Sequence, residues 1–142
     1  MDDPKKGVLM SCRLPIYPCN GPEFVDSSDI PMASGYGLHQ FEMKWFWEQY
    51  ITLADRTNPY AVPHAAKSFV GLPPKVMVTA QFDVLRSDGI AYRDKLSAAR
   101  VPMAYKDCPG MIHGFFNHGK YIDEGINIRE YHADEITSIL SA

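Results

Sequence analysis

At 142 residues, 46% of them hydrophobic and 12% aromatic, the chain is long enough for one domain with a real core, and a second domain is not expected. Fourteen basic against seventeen acidic side chains leave a formal charge of −3, with no long run of one sign to follow a phosphate backbone, so nucleic acid is not expected as a partner. No apolar stretch approaches the ~20 residues that cross a bilayer, and the opening MDDPKKGVLMSC holds no signal-peptide core, which gives the expectation of a cytoplasmic chain without a membrane span.

Along the chain, short apolar runs alternate with helical patterns, the mark of an α/β fold. CRLPIYP, Cys12 to Pro18, reads as a strand. Pro15 removes a ladder donor from it, so it should be short, irregular or at an edge. A loop rich in Pro, Gly, Ser and Asp follows, and then LHQFEMKWFWEQYI, Leu38 to Ile51, spreads apolar residues around most of a helix. Such a helix either lies over a hydrophobic cavity or a partner, or is an ordinary core helix. Two prolines keep NPYAVP, Asn58 to Pro63, from being helical. KVMVTA, Lys75 to Ala80, has the continuous apolar character of a parallel strand covered on both faces. SDGIAYRDKLSAAR follows as a helix with Ser87 or Asp88 at its N-cap. VPMAYKD is a third strand, and INIREYHADEITSIL a closing helix. The expected core is three parallel strands joined by helical crossovers.

Sites in open α/β sheets gather beyond the carboxyl ends of the strands. Asp83 lies three residues past KVMVTA, and His113 follows PMAYK within CPGMIHGFF. A carboxylate that accepts from one imidazole nitrogen fixes the tautomer and leaves the other nitrogen to act as a base. Each residue alone has an ordinary alternative, a loop aspartate near a helix start and a histidine satisfied by a backbone carbonyl. Together, one helix and one strand apart, they read as a catalytic pair. A metal reading of His113 with His118 and Asp107 has no zinc-like spacing. His39 and His132 read as solvated helix positions and His64 as a loop side chain. Cys12, Cys19 and Cys108 fit neither a zinc knuckle nor a CxxC site, and free thiols are the simplest reading.

These residues resemble the C-terminal part of an α/β-hydrolase of the hormone-sensitive-lipase-like group, mostly carboxylesterases and lipases. FDVLRSDG resembles the group's acid motif and PGMIHGF its histidine motif, so the resemblance implies an acid role for Asp83 and a base role for His113. Ile16-Tyr17-Pro18, the segment Gly35-Tyr36-Gly37-Leu38 before the aromatic helix, and the loop Asn58 to Pro63 add weaker matches. Val84 and Ser87 depart from the acid motif. A larger departure is the missing nucleophile: none of the serines at 11, 27, 28, 34, 68, 87, 97, 138 and 141 sits in G-x-S-x-G, and no His-Gly-Gly stretch offers an oxyanion hole.

The resemblance therefore implies a partial α/β-hydrolase fold over 1–142, with a lid-like segment at about 20–57. It implies the acid and base of a serine carboxylesterase, acting on a small apolar ester and needing no cofactor. The chain alone is expected to be inactive, and a missing N-terminal half or self-association is expected to cover its open sheet edge. The alternative is a non-catalytic, hydrolase-derived binding module.

Overall fold

Six successive residues, Lys75 to Ala80, are buried, as a strand sandwiched between helices requires. They begin β1, Lys75–Phe82, which pairs in parallel with β2, Met103–Ile112, in a computed structural model that describes residues 10–23 and 34–141. Helix α1, Gln40–Tyr50, and 3-10 turns at Leu53–Thr57 and Pro63–Ala65 precede β1. Helix α2, Arg86–Ala98, joins the two strands, and a 3-10 turn at Phe115–His118 leads into α3, Asp123–Leu140.

Alternation along β1 divides the core. Val78 and Ala80 point to one face, where they pack with Cys108, Phe115 and Ile128 of the α3 side. Met77 points to the other, against Tyr92 and Leu96 of α2 and Val101 beyond it. Helix α2 comes so close that a Cβ on Gly89 would meet Thr79 Cγ2 at 2.5 Å, which only glycine avoids. A third cluster, Met43 and Trp47 of α1 with Val62, Val84 and Leu85, fixes the aromatic helix to the loop after β1.

The segment read as the first strand is reduced to two isolated parallel bridges, Arg13 with Lys75 and Ile16 with Val78. Pro15 is the physical reason: it offers only a carbonyl, which accepts from Val78 N–H at 3.1 Å, and has no N–H to return. β2 differs the other way. It runs on through Pro109-Gly110 to Ile112, beyond the VPMAYKD that the sequence reads as a strand. Gly110 adopts φ 74°, and its N–H donates to the Gln81 side chain at 2.8 Å, so the pair forms a bulge inside the strand.

The N-cap expectation for α2 is also corrected. The helix starts at Arg86 with Leu85 at the cap position, and Asp88 is fully buried in the first turn. His39 is the N-cap residue of α1, with its N–H and Nδ1 at 2.8 and 2.9 Å from Glu42 Oε2, not a solvated position within the helix. His132 is buried, its Nδ1–H donating to the Ile128 carbonyl at 2.6 Å.

Lys75 opens β1 with 1% exposure and, among the described residues, no hydrogen-bond partner for Nζ. Burial first, and the Arg13 charge second, push its pKa down to about 8. The folded value lies below the ordinary 10.5, so the cost of the buried charge is fully present below pH 8 and is relieved as pH rises from 8 toward 10.5. Lys75→Met, similar in length and uncharged, should therefore melt higher than the wild type at pH 7, with the gap closing by pH 10. Paired thermal melts across that range check this, and equal Tm values at pH 7 would contradict it.

Candidate active site

Beyond Ala80 the strands leave simple register: Ala80 faces Cys108, but two residues later Phe82 faces Ile112. The Pro109-Gly110 bulge takes up the difference of two. Continued by one residue, this shifted register sets Asp83 beside His113. Asp83 Oδ2 lies 2.8 Å from His113 Nδ1, while Oδ1 accepts from Leu85 N–H at 2.8 Å. The second bond closes a local Asx turn and holds the carboxylate in place as the chain enters α2. The Asp83 side chain is fully buried, whereas that of His113 is 27% exposed. Nδ1–H is thus given to the carboxylate, and Nε2 is the nitrogen left for a second partner.

The ring of Tyr17 stands over the imidazole with its centroid 4.4 Å away, tilted by 58°, and contacts Phe115 at 6.0 Å. Burial, and after it the Asp83 charge, raise the Tyr17 phenol above its usual range. Three residues after Asp83, Arg86 grips Asp107 of β2 with Nε at 3.1 Å and Nη2 at 2.7 Å, and Thr79 donates to the same carboxylate at 2.7 Å. Partial burial alone would raise the Asp107 pKa, but these bonds outweigh it and hold the carboxyl below its usual range. Asp107 is thereby committed to Arg86 and Thr79. Among the described residues no group of three or more His, Cys, Asp or Glu side chains is placed to hold a metal ion.

A second histidine–carboxylate pair escaped the sequence reading. Asp88 accepts from His64 Nε2 at 2.8 Å, Asn20 N–H at 2.6 Å, Asn20 Nδ2 at 2.9 Å and Gly21 N–H at 3.1 Å. His64, read as a loop side chain, lies in the 3-10 turn at Pro63–Ala65 and is buried with Asp88. The available signal was PH within NPYAVPH beside an acid in the first turn of α2, but nothing local brings residues 24 apart together.

The cavity against α1, about 330 Å³, is lined by Cys19, Met43, Trp47, Tyr50 and Tyr60 among others, and neither Asp83 nor His113 is in its wall. Burial, with help from Asp88, pushes the Cys19 thiol up to about 12. Burial likewise pushes Cys108 to about 11, so neither is a thiolate nucleophile at neutral pH. Among the described residues, Asp83 is the only hydrogen-bond partner of the His113 ring.

Residues 3–117 match the family model for the alpha/beta hydrolase fold. The chain belongs to the α/β-hydrolase family. This hydrolase chain is 33% identical over 110 residues to the ethyl acetate hydrolase of Pseudomonas putida, covering 77% of itself and 35% of that protein. It is 31% identical over 97 residues to the carboxylesterase NlhH of Mycobacterium tuberculosis, covering 68% of itself and 30% of NlhH. An α/β-hydrolase enzyme from the metagenome of Lake Arreo, solved as a serine-to-alanine mutant, superposes with a TM-score of 0.82 at 33% identity, over 93% of this chain and 42% of that one. The chain spans about a third of the length of the curated relatives it matches. Among the described residues, no helix is long and apolar enough to cross a membrane.

Proposed function

We propose that this chain is the C-terminal portion of a serine carboxylesterase domain, with a lid-like segment at about 20–57, and that it supplies the acid and the base while the nucleophile comes from outside residues 1–142. The observation that carries the reading is the 2.8 Å contact of His113 Nδ1 with a fully buried Asp83 carboxylate at the carboxyl ends of adjacent parallel strands. In the complete domain His113 Nε2 takes the proton of the attacking serine as the acyl–enzyme forms, then hands it to the departing alcohol oxygen. It next activates water for deacylation. Asp83 keeps the productive tautomer and stabilises the imidazolium. The family resemblance and the named relatives support an uncharged carboxylic ester as substrate, and the apolar α1 supports one of modest size.

The isolated chain should hydrolyse p-nitrophenyl acetate no faster than free imidazole at equal concentration. None of its serines lies in a G-x-S-x-G elbow, and losing even one oxyanion donor costs about 10²–10³-fold. An initial-rate assay with a His113→Ala control measures this. Saturable turnover that disappears in His113→Ala would overturn the assignment of the nucleophile to another segment.

A second reading, a non-catalytic binding module, is favoured by the outward aromatics of α1: Phe41, Trp45, Phe46 and Tyr50 are all exposed. A homogeneous complex with another protein that shows no esterase turnover would favour it over the enzyme.

A further inference from the structure

Tyr17 is one of only two non-glycine residues with positive φ among those described, at 36°. A bulky side chain in that region is uncommon, and such a conformation persists only where the surroundings hold it. The residue that follows is Pro18, which itself disfavours helical conformations at the position before it. Three contacts hold the backbone and ring in this state. Tyr17 N–H donates to the Val78 carbonyl at 2.8 Å, and the ring lies against His113 at 4.4 Å and Phe115 at 6.0 Å.

We infer that Tyr17 is a positioning residue for His113, its strained backbone aiming the phenol ring to wall one face of the imidazole so that Nδ1–H stays on Asp83. The inference rests on the acid–base reading of the pair. The need for a wall follows from the geometry. His113 is part exposed and is followed by Gly114 at φ 86°, so its backbone neighbour adds no side chain to confine it. The Asp83 bond fixes one ring nitrogen, but the imidazole is itself part exposed, and one hydrogen bond does not fix the tilt of the ring. The Tyr17 ring, centred 4.4 Å away, limits that tilt and stands near enough to feel the Asp83 charge. Ring area is what this role needs, so phenylalanine should serve and a small residue should not.

The test is proton NMR of the His113 Nδ1–H in the full chain, in wild type, Tyr17→Phe, Tyr17→Ala and Tyr17→Gly. Wild type and Tyr17→Phe should show a downfield Nδ1–H resonance protected from solvent. In Tyr17→Ala and Tyr17→Gly it should broaden away through exchange. Glycine relieves the strained φ, so Tyr17→Gly should melt no lower than Tyr17→Ala while still losing the resonance. That separates ring positioning from stability, and the glycine variant keeps the test alive if alanine fails to fold. Persistence of the resonance with wild-type exchange in both small variants would overturn the role of Tyr17 alone. Its absence from wild type would overturn the Asp83–His113 pairing and the Tyr17 role with it.

Discussion

Asp88→Ala should lower the unfolding free energy by about 3–5 kcal/mol, because several buried donors lose their acceptor at once. Asp88 has no exposed surface and accepts from four donors: two backbone N–H groups, the Asn20 amide and His64. Alanine would strand all of them away from water, and each unsatisfied buried group costs on the order of 1–3 kcal/mol, reduced where local motion lets water in. Since ordinary domains are stable by about 5–15 kcal/mol, this is a large share of the total. Asp88→Asn keeps the shape and one acceptor oxygen, and should lose less. Urea unfolding followed by circular dichroism measures both variants. A loss below about 1 kcal/mol for the alanine variant would show that the loop at residues 20 and 21 does not depend on the carboxylate.

Phe115→Ala should cost a similar amount, about 3–5 kcal/mol, from lost transfer energy together with the cavity left behind. The ring is fully buried among Val78, Ala80, Cys108 and Ile128, at the point where α3 meets the sheet. Neighbours from three separate elements surround it, so the hole has little freedom to collapse. Phe115→Leu fills most of the volume and should cost distinctly less. Equal and small losses for both, by calorimetry on the same preparation, would show that this side of the sheet is loosely packed. Phe115 also touches the Tyr17 ring, so its removal should loosen the support of His113 as well as the core.

What could be read from the sequence, and what could not, divides along the range of the forces involved. The β1 run, the helices and the strand-end placement of Asp83 and His113 follow from apolar periodicity and from chain order, both local properties. The weakness of the first strand followed from Pro15, because a missing donor is written in the residue itself. By contrast, Pro109-Gly110 has the composition of a turn, and it becomes a bulge through a bond to Gln81 on another strand. Local rules made Ser87 or Asp88 a cap, His64 a loop side chain and His132 solvated. Tertiary packing buried Asp88, His64 and His132, and histidine and aspartate carry no mark of whether a distant partner will meet them. Tyr17 was visible only as part of a strand-end motif. Its left-handed backbone has no compositional signal, since glycine or asparagine is the usual occupant of such a position.

The bulge at Pro109-Gly110 also sets the spacing between Asp83 and His113. Were the same residues paired as a straight ladder, with no bulge, Met111, not His113, would stand alongside Asp83, and the imidazole would be carried on by roughly two strand steps, about 7 Å, out of bonding range. Two is an even number, so the side chains of β2 before and after it stay in phase with the same faces of the sheet. The meeting of His113 with Asp83 therefore depends on the bulge being held in shape by the left-handed Gly110 and its bond to Gln81, at positions that belong to neither residue of the pair.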